Sequence, residues 1–289
     1  MMKYRVISGL RFLKIIPVAL GIMVLMVSCD LFFKKELRQD QQLAYYRHRG
    51  YVISDSITSS VKRIKAFKTL VSQAGEDKYL ITPRKKNMLL SEIYTSISAE
   101  YHDLFRIEEA IESCNLAIML NVENKYAYFN RGYLHEMTSE DSLAIEDYSR
   151  VLAIDEHYVD AYYNRGMIYE RNTDYQLAIE DYSRAIKQNP TYLADVYNNR
   201  GNTYQEMNFA DKAVNDYTMA LNLDSTKTMS YYNRANAYMS LNKPNEALLD
   251  FQKVLELEPE NLLVIDKVKS LETELPQKLQ PLHESAGGS

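Results

Sequence analysis

The sequence contains no tryptophan and only two cysteines, Cys29 and Cys114, among its 289 residues. Cys29 ends a leader-like segment that is considered below, which leaves Cys114 without a second cysteine in the folded part. Neither an intramolecular disulfide nor a structural zinc site is therefore expected. Long apolar runs are also missing, because residues 15 to 27 form the apolar run of the leader and a membrane-spanning helix needs about 20 residues.

The sequence also lacks a catalytic constellation. His135-Glu136 begins like a zinc-protease helix motif, but Ser139 stands where the second histidine ligand is required. The five histidines are scattered, and there is no glycine-rich phosphate loop or calcium loop. We therefore expect no enzymatic activity, no cofactor and no metal site.

Positive charge is scarce in the last two thirds of the chain. Residues 91 to 289 carry 17 Lys and Arg against 33 Asp and Glu, whereas residues 30 to 90 carry 13 against 6. Residues 91 to 289 are thus strongly acidic, and residues 30 to 90 are basic. Nucleic-acid binders need clustered cations, so this distribution argues against a nucleic-acid partner.

One short stretch recurs along the acidic region. Tyr162-Tyr163-Asn164-Arg165-Gly166 has counterparts 34 residues upstream and, after one extra residue, downstream. A period near 34 residues in a helical pattern indicates stacked repeats. Five repeats fit one template, at residues 91 to 124, 125 to 158, 159 to 193, 194 to 227 and 228 to 261.

Small and aromatic residues alternate within the template in a way that predicts two antiparallel helices per repeat. The eighth place is Ser, Gly or Ala in every repeat, and the twentieth is always Ala, so two backbones can approach closely. Aromatic residues follow at places four, eleven and twenty-four with helical spacing. A single helix pair cannot bury these aromatic faces, so the repeats must stack on one another.

These five copies resemble the tetratricopeptide repeat family, with tyrosine where the family usually has tryptophan at place four. The resemblance covers residues 91 to 261 and implies an all-α fold. The expected architecture is a right-handed superhelical solenoid of five helix pairs with capping helices at both ends. In this family the first helices of successive repeats line a concave groove.

The N-terminus reads as a bacterial secretion signal. Lys3, Arg5, Arg11 and Lys14 precede the apolar run, which ends at Ser28-Cys29. This ending resembles a lipoprotein signal, in which the cysteine is lipidated after residues 1 to 28 are removed. The alternatives are an uncleaved membrane anchor and a plain signal peptide with a chance cysteine.

The segments that flank the repeats differ from the template and from one another. Residues 29 to 56 are expected to form a lipidated tether with a weak helix that ends near Gly50, and residues 57 to 90 an N-terminal helical cap with a basic face. That face either lies against anionic lipids or is a solvated surface. Residues 262 to 275 are expected to form a C-terminal capping helix, and residues 276 to 289 a disordered tail.

The family resemblance implies that places two, five, six, nine, twelve and thirteen of each repeat face the groove; we call these the groove places. Seven acids occupy them, and Arg171 is the only Lys or Arg. We therefore expect a neutral or basic protein or peptide partner and not an acidic one. The candidate peptide-binding residues are Tyr126, Phe129, Asn130, Tyr133, Tyr163, Asn164, Met167, Asn198, Asn199, Asn202, Tyr232, Asn233 and Asn236, with further apolar contacts at Met137, Met229 and Met239.

Asparagine occupies place six in four of the five repeats. A side-chain amide has both a donor and an acceptor, so repeated asparagines can hydrogen-bond the backbone of an extended peptide. The alternative is that each asparagine braces the neighbouring repeat.

Arginine at place seven always accompanies aspartate at place twenty-three. Repeats two to five carry both, whereas the first repeat has Ile97 and Ser113 instead. This covariation predicts a structural ion pair between the two helices of each repeat. The four pairs are Arg131 with Asp147, Arg165 with Asp181, Arg200 with Asp216, and Arg234 with Asp250.

Taken together, these features predict a bacterial repeat lipoprotein that is anchored by Cys29 in the cell envelope and faces the periplasm. Its expected role is to bind a protein or peptide through the groove. A structural subunit of an envelope assembly or secretion machine, and an adaptor for a periplasmic protease, are the alternatives. The choice between inner and outer membrane, the oligomeric state and the partner stay open.

Overall fold

A computed structural model describes residues 31 to 77 and 82 to 274. The proposed leader, Cys29 and the predicted tail from residue 276 lie outside these residues. The described residues form thirteen α-helices and no strand, so the predicted all-α fold is confirmed. The helices are α1 Leu31–Ser56, α2 Ser60–Glu76, α3 Pro83–Asp103, α4 Ile107–Leu120, α5 Lys125–Met137, α6 Asp141–Ile154, α7 Val159–Arg171, α8 Tyr175–Lys187, α9 Leu193–Glu206, α10 Ala210–Leu223, α11 Thr228–Ser240, α12 Pro244–Leu257 and α13 Leu262–Glu274.

The chain divides into two compact units, Met1–Ala161 and Tyr162–Ser289. In the first unit, α3 and α4 form one antiparallel pair and α5 and α6 a second. In the second unit, α9 pairs with α10 and α11 with α12, and α13 packs against α12. Helix α7 contains the boundary between the units.

Small residues let the two helices of a repeat approach closely, as the template predicts. A Cβ atom built on Gly132, Gly166 or Gly201 would lie 3.1, 2.9 or 2.7 Å from the ring of the tyrosine at place twenty-four. Those rings belong to Tyr148, Tyr182 and Tyr217, which are fully buried. Glycine at place eight thus lets each ring pack closely against the first helix.

The turn between the two helices of each repeat is closed by a residue in the left-handed region. In the first repeat, Phe105 has φ 57°, and the Arg106 amide donates to the Tyr101 carbonyl at 2.9 Å. This arrangement is a Schellman cap, for which glycine is the usual residue. The chain uses non-glycine residues throughout: Phe105, Ser139, Thr173, Asn208 and Asn242.

The N-terminal segment differs from the predicted tether. Helix α1 continues through Gly50 to Ser56 and packs on the first unit, where Tyr46 and Ile53 are buried with Phe67 of α2 and Ile93 of α3. The Tyr46 hydroxyl also donates to Asp77 at 2.9 Å. Because α1 and α2 pack on α3, they extend the helical stack and do not form a free linker.

Helix α3 also crosses the expected boundary between cap and repeats. It begins at Pro83, two turns before residue 91, and proline suits the first turn of a helix because its missing N–H is not needed there. At the other end, α13 buries Val264, Val268 and Leu271. None of the helices in the described parts of the chain has the length and hydropathy of a membrane span.

Candidate functional site

In the first unit, the groove places of α5 form an aromatic cluster. The Phe129 ring lies 5.6 Å from Tyr148 and 5.1 Å from Tyr158, and Tyr126 lies 6.2 Å from Tyr158 between ring centroids. Phe129 is only 5% exposed. The half-buried ring of Tyr126 is therefore a part of this cluster that a partner can reach. Tyr133, whose ring lies 5.5 Å from His102, is also half-buried.

Two of the predicted amide contacts lie in the interior. Asn130 is 0% exposed and Asn164 is 2% exposed. Their side chains cannot reach a peptide in this structure, because the packing around place six covers them. The expectation that a ladder of four asparagines contacts a peptide backbone is corrected at these two positions.

Most groove places of the first repeat are also covered, although Asp103 is exposed. Thr95, Ser96 and Ala99 are buried, and Glu92 forms a two-pronged ion pair with Arg47 of α1, at 2.5 and 3.0 Å. The sequence did not predict that Arg47 pairs with Glu92, because this contact depends on how α1 packs.

In the second unit, the accessible asparagines connect successive first helices. Asn199 Nδ2 donates to Tyr163 Oη at 3.0 Å, and the Ser230 hydroxyl donates to Asn198 Oδ1 at 2.9 Å. Tyr163 is itself only 5% exposed and packs 5.2 Å from Tyr192. These bonds support the bracing alternative for Asn198 and Asn199.

Asn202 and Asn236 differ from the other asparagines because only their side-chain oxygens, and not their NH₂ groups, contact other residues that the structure describes. Asn202 Oδ1 accepts hydrogen bonds from Tyr217 Oη and from Asn233 Nδ2, both at 2.9 Å. Asn236 Oδ1 lies 3.5 Å from Lys267 Nζ. Among the described residues, neither Nδ2 has a hydrogen-bond acceptor, and both side chains are half-buried. The Asn202 amide is thus held through its oxygen, the Asn236 oxygen has one long contact, and both amides present their N–H groups.

Exposed methionines accompany these donors. Met229 is 64% exposed and Met239 is 42% exposed, both on α11, whose Tyr232 packs on Phe251 at 5.7 Å. In the first unit, Met137 is 42% exposed, whereas Met167 of α7 is half-buried. Flexible apolar side chains of this kind suit contacts with varied partners.

The acidity of the groove places is smaller than the sequence suggests. Asp195 is paired with Lys227 at 2.6 Å, and Glu92 is paired with Arg47. Burial raises the pKa of the Glu170 carboxyl, although Tyr182 Oη donates to it at 2.6 Å. Glu206 is exposed. Arg47 and Lys227 could not be predicted from the template, because neither occupies a groove place.

The four predicted Arg–Asp ion pairs are all present and are two-pronged. In Arg131–Asp147, Arg165–Asp181, Arg200–Asp216 and Arg234–Asp250, Nε and Nη2 donate to the two carboxylate oxygens at 2.7 to 2.9 Å. Through Nη1 the arginines also bond the second helix of the preceding repeat, as in Arg131 to Asn115, Arg200 to Ser183 and Arg234 to Thr218. These pairs are structural, as predicted.

Two further kinds of site remain to be considered, a reactive cysteine and a metal site. Burial raises the pKa of the Cys114 thiol to about 12, and Cys114 Sγ lies 2.9 Å from Ser98 Oγ, so this cysteine is a buried packing residue with little thiolate character. Among the described residues, no group of three or more His, Cys, Asp or Glu side chains could hold a metal ion.

Family models recognise repeats within the region that the template covers. Models described as tetratricopeptide repeat match residues 91–123, 159–192, 194–227 and 229–261, and one described as TPR repeat matches residues 140–172. Together these segments span more than half of the chain. No curated protein matches the sequence.

Solved structures share the fold. The crystal structure of MamA is 25% identical, with a TM-score of 0.55 over 57% of this chain and 95% of that one. YrrB, described as a TPR protein with an unusual peptide-binding site, is 17% identical, with a TM-score of 0.60 over 71% and 99%. The C-terminal part of a TPR repeat-containing protein from Cytophaga hutchinsonii is 19% identical, with a TM-score of 0.61 over 79% and 85%.

Proposed function

This chain is a tetratricopeptide-repeat protein, and from that premise we propose that it is a scaffold that binds a protein or peptide partner through the groove places of its first helices. The observation that supports this function is the pair of oriented amide donors on Asn202 and Asn236. They occupy place nine of consecutive repeats and are half-buried. Such donors can bind backbone carbonyls at separate points along an extended segment. The unusual peptide-binding site of YrrB, a protein of the same fold, supports the same role.

The apolar surface beside these donors sets the class of partner. Met229 and Met239 are exposed on α11 and provide contact area for apolar side chains of the bound segment. Exposed Glu206 and the scarcity of cations at the groove places disfavour an acidic segment. The partner segment is therefore neutral or basic, and extended.

Attachment to a membrane completes the proposal. Lipidation of Cys29 would place the bound partner at the surface of a bacterial envelope membrane, facing the periplasm. Metabolic labelling with a fatty acid, compared between the natural chain and Cys29→Ser, tests the anchor separately from the binding site.

The binding site is tested by a substitution that keeps the internal bonds. Asn202→Asp combined with Asn236→Asp retains both side-chain oxygens as acceptors but removes both N–H donors. Affinity capture from envelope membranes should recover the partner with the natural chain and lose it with this variant. A matched control, Asn215→Asp with Asn222→Asp on the exposed surface of α10, changes the net charge equally and should retain the partner. Retention by both variants would refute the proposed site.

A further inference from the structure

In repeats two to five, an arginine side chain fills a slot between the two helices. Arg200 shows the arrangement: its Cζ atom lies 5.5 Å from the Tyr197 ring and 5.8 Å from the Tyr204 ring, and Asp216 binds its guanidinium. Arg165 lies 6.0 Å from Tyr162 and 5.7 Å from Tyr169. In repeats three to five the slot is thus a guanidinium site made of two tyrosine rings and a carboxylate, and in the second repeat His135 replaces the second tyrosine.

The first repeat keeps the two tyrosines but lacks both charged residues. Tyr94 and Tyr101 occupy places four and eleven, while Ile97 and Ser113 replace the arginine and the aspartate. These four residues line a cleft of about 550 Å³ between α2, α3 and α4. Among the described residues, Tyr94 is the only tyrosine at place four that has no cation over its ring. The space that arginine fills elsewhere is open here.

Charged groups surround the mouth of this cleft. Lys68 Nζ lies 5.5 Å and Arg106 Cζ 4.9 Å from the Tyr101 ring, and Arg106 is paired with Glu109. Glu112 lines the cleft and is exposed, and it has no ion-pair partner among the described residues. Glu112 directly precedes Ser113, and Ser113 stands where the other repeats have their aspartate. One carboxylate is therefore available to a ligand.

We propose that this cleft binds an arginine side chain presented by a protein or peptide partner. The guanidinium stacks on Tyr94 above Ile97, as the arginines of the other repeats stack on their place-four tyrosines, and Glu112 accepts its hydrogen bonds. Lysine fits less well, because only the planar guanidinium both stacks on a ring and binds a carboxylate with two donors. The cleft shares no residue with the groove places, so it is a second contact point and is independent of the proposed function.

The direct test titrates the full-length protein with N-acetyl-arginine amide and, separately, with N-acetyl-lysine amide. The methyl NMR signals of Val71 and Leu116, which line the cleft, report binding. We expect a saturable shift with the arginine compound and a dissociation constant at least about fivefold higher with the lysine compound. The absence of a saturable shift with the arginine compound would overturn the proposal.

Two variants locate the site. Ile97→Arg with Ser113→Asp should recreate the internal ion pair of the other repeats, fill the cleft and abolish the shift. Glu112→Gln changes an exposed residue, so the fold should persist, and it should weaken arginine binding at least about threefold. Its control is Glu108→Gln, an exposed position one turn away on α4 that does not line the cleft. Equal affinity for the Glu112→Gln and Glu108→Gln variants would also overturn the proposal.

Discussion

Arg200 and Asp216 join the two helices of the fourth repeat through two parallel hydrogen bonds. Nε lies 2.7 Å from Oδ2, and Nη2 lies 2.8 Å from Oδ1. The side chains are 18% and 7% exposed. Arg200 Nη1 also donates to Ser183 of the preceding repeat at 2.9 Å. One side chain therefore links three helices, which explains why arginine and aspartate occur together in the repeats that have them.

The first prediction concerns the energy of this pair. A double-mutant cycle with Arg200→Ala and Asp216→Ala should give a coupling energy above about 1 kcal/mol in chemical denaturation, because the pair is shielded from water. The exposed pair Lys253–Glu256, with side chains 42% and 63% exposed, provides the control. Its coupling should be near about 0.3 kcal/mol. Equal coupling for the two pairs would show that Arg200 and Asp216 only reflect the common descent of the repeats.

A second prediction tests the packing of tyrosine on glycine. Gly201→Ala places a Cβ atom 2.7 Å from the Tyr217 ring, which the hydroxyl bond to Asn202 keeps in position. The substitution should lower the free energy of unfolding by about 1–3 kcal/mol. The fifth repeat combines Ala235 with Phe251, a ring without a hydroxyl.

The pairing of Ala235 with Phe251 in the fifth repeat suggests the control for this prediction. Tyr217→Phe frees the ring to shift, so Gly201→Ala should cost less in the Tyr217→Phe background than in the natural chain. A cost that is the same in both backgrounds would contradict the role of the hydroxyl. Both costs are measured as free energies of unfolding by urea denaturation.

A third prediction concerns backbone strain. Thr173 has φ 65°, a region that a β-branched residue tolerates poorly. Thr173→Gly should raise the free energy of unfolding by about 0.5–1 kcal/mol despite the greater flexibility of glycine in the unfolded chain. Asn208 has φ 61°, but asparagine accepts this conformation. Asn208→Gly should therefore change the stability less, and thermal unfolding of both variants checks the order.

A fourth prediction follows from the burial of Glu170. Burial raises the pKa of this carboxyl above its ordinary value, so the folded protein favours the protonated form. Its contribution to stability is present below the ordinary glutamate pKa and is lost as the pH rises through the folded-state pKa. Glu170→Gln should thus stabilise the protein at pH 7 and make little difference near pH 4.

The measurement is urea denaturation at both pH values. Glutamine keeps an oxygen that can accept the Tyr182 hydroxyl bond. Glu180→Gln, on the exposed surface of α8, is the control for the loss of one negative charge. A stabilisation by Glu170→Gln that is equal at the two pH values would contradict the assigned cause.

The repeated elements could be predicted from the sequence because each packing position occurs several times. Gly201 opposite Tyr217, and Arg200 opposite Asp216, recur at fixed places, so their pairing follows from the template. The packing of α1 could not be predicted in this way. Its buried residues, Tyr46 and Ile53, have no repeated counterpart, and Gly50 favours an earlier end of the helix.

The exposure of the individual groove places could not be predicted from the sequence. Asn130 and Asn202 both occupy groove places, yet Asn130 is fully buried and Asn202 is half-buried. The sequence identifies the face of a helix, but exposure depends on the side chains of neighbouring helices. The same reason applies to Glu92, whose charge is neutralised by Arg47 from outside the repeats.

The central claim is that the partner binds at the groove places of the second unit. A photo-crosslinking residue placed at Met229 or Met239 tests this claim most directly, because both side chains are exposed beside Asn236 on α11. Met219 of α10, which is 43% exposed and outside the groove places, serves as the reference position. Irradiation of cells should give the same partner adduct at Met229 and Met239 and none at Met219. An adduct at Met219 with none at Met229 or Met239 would contradict the account.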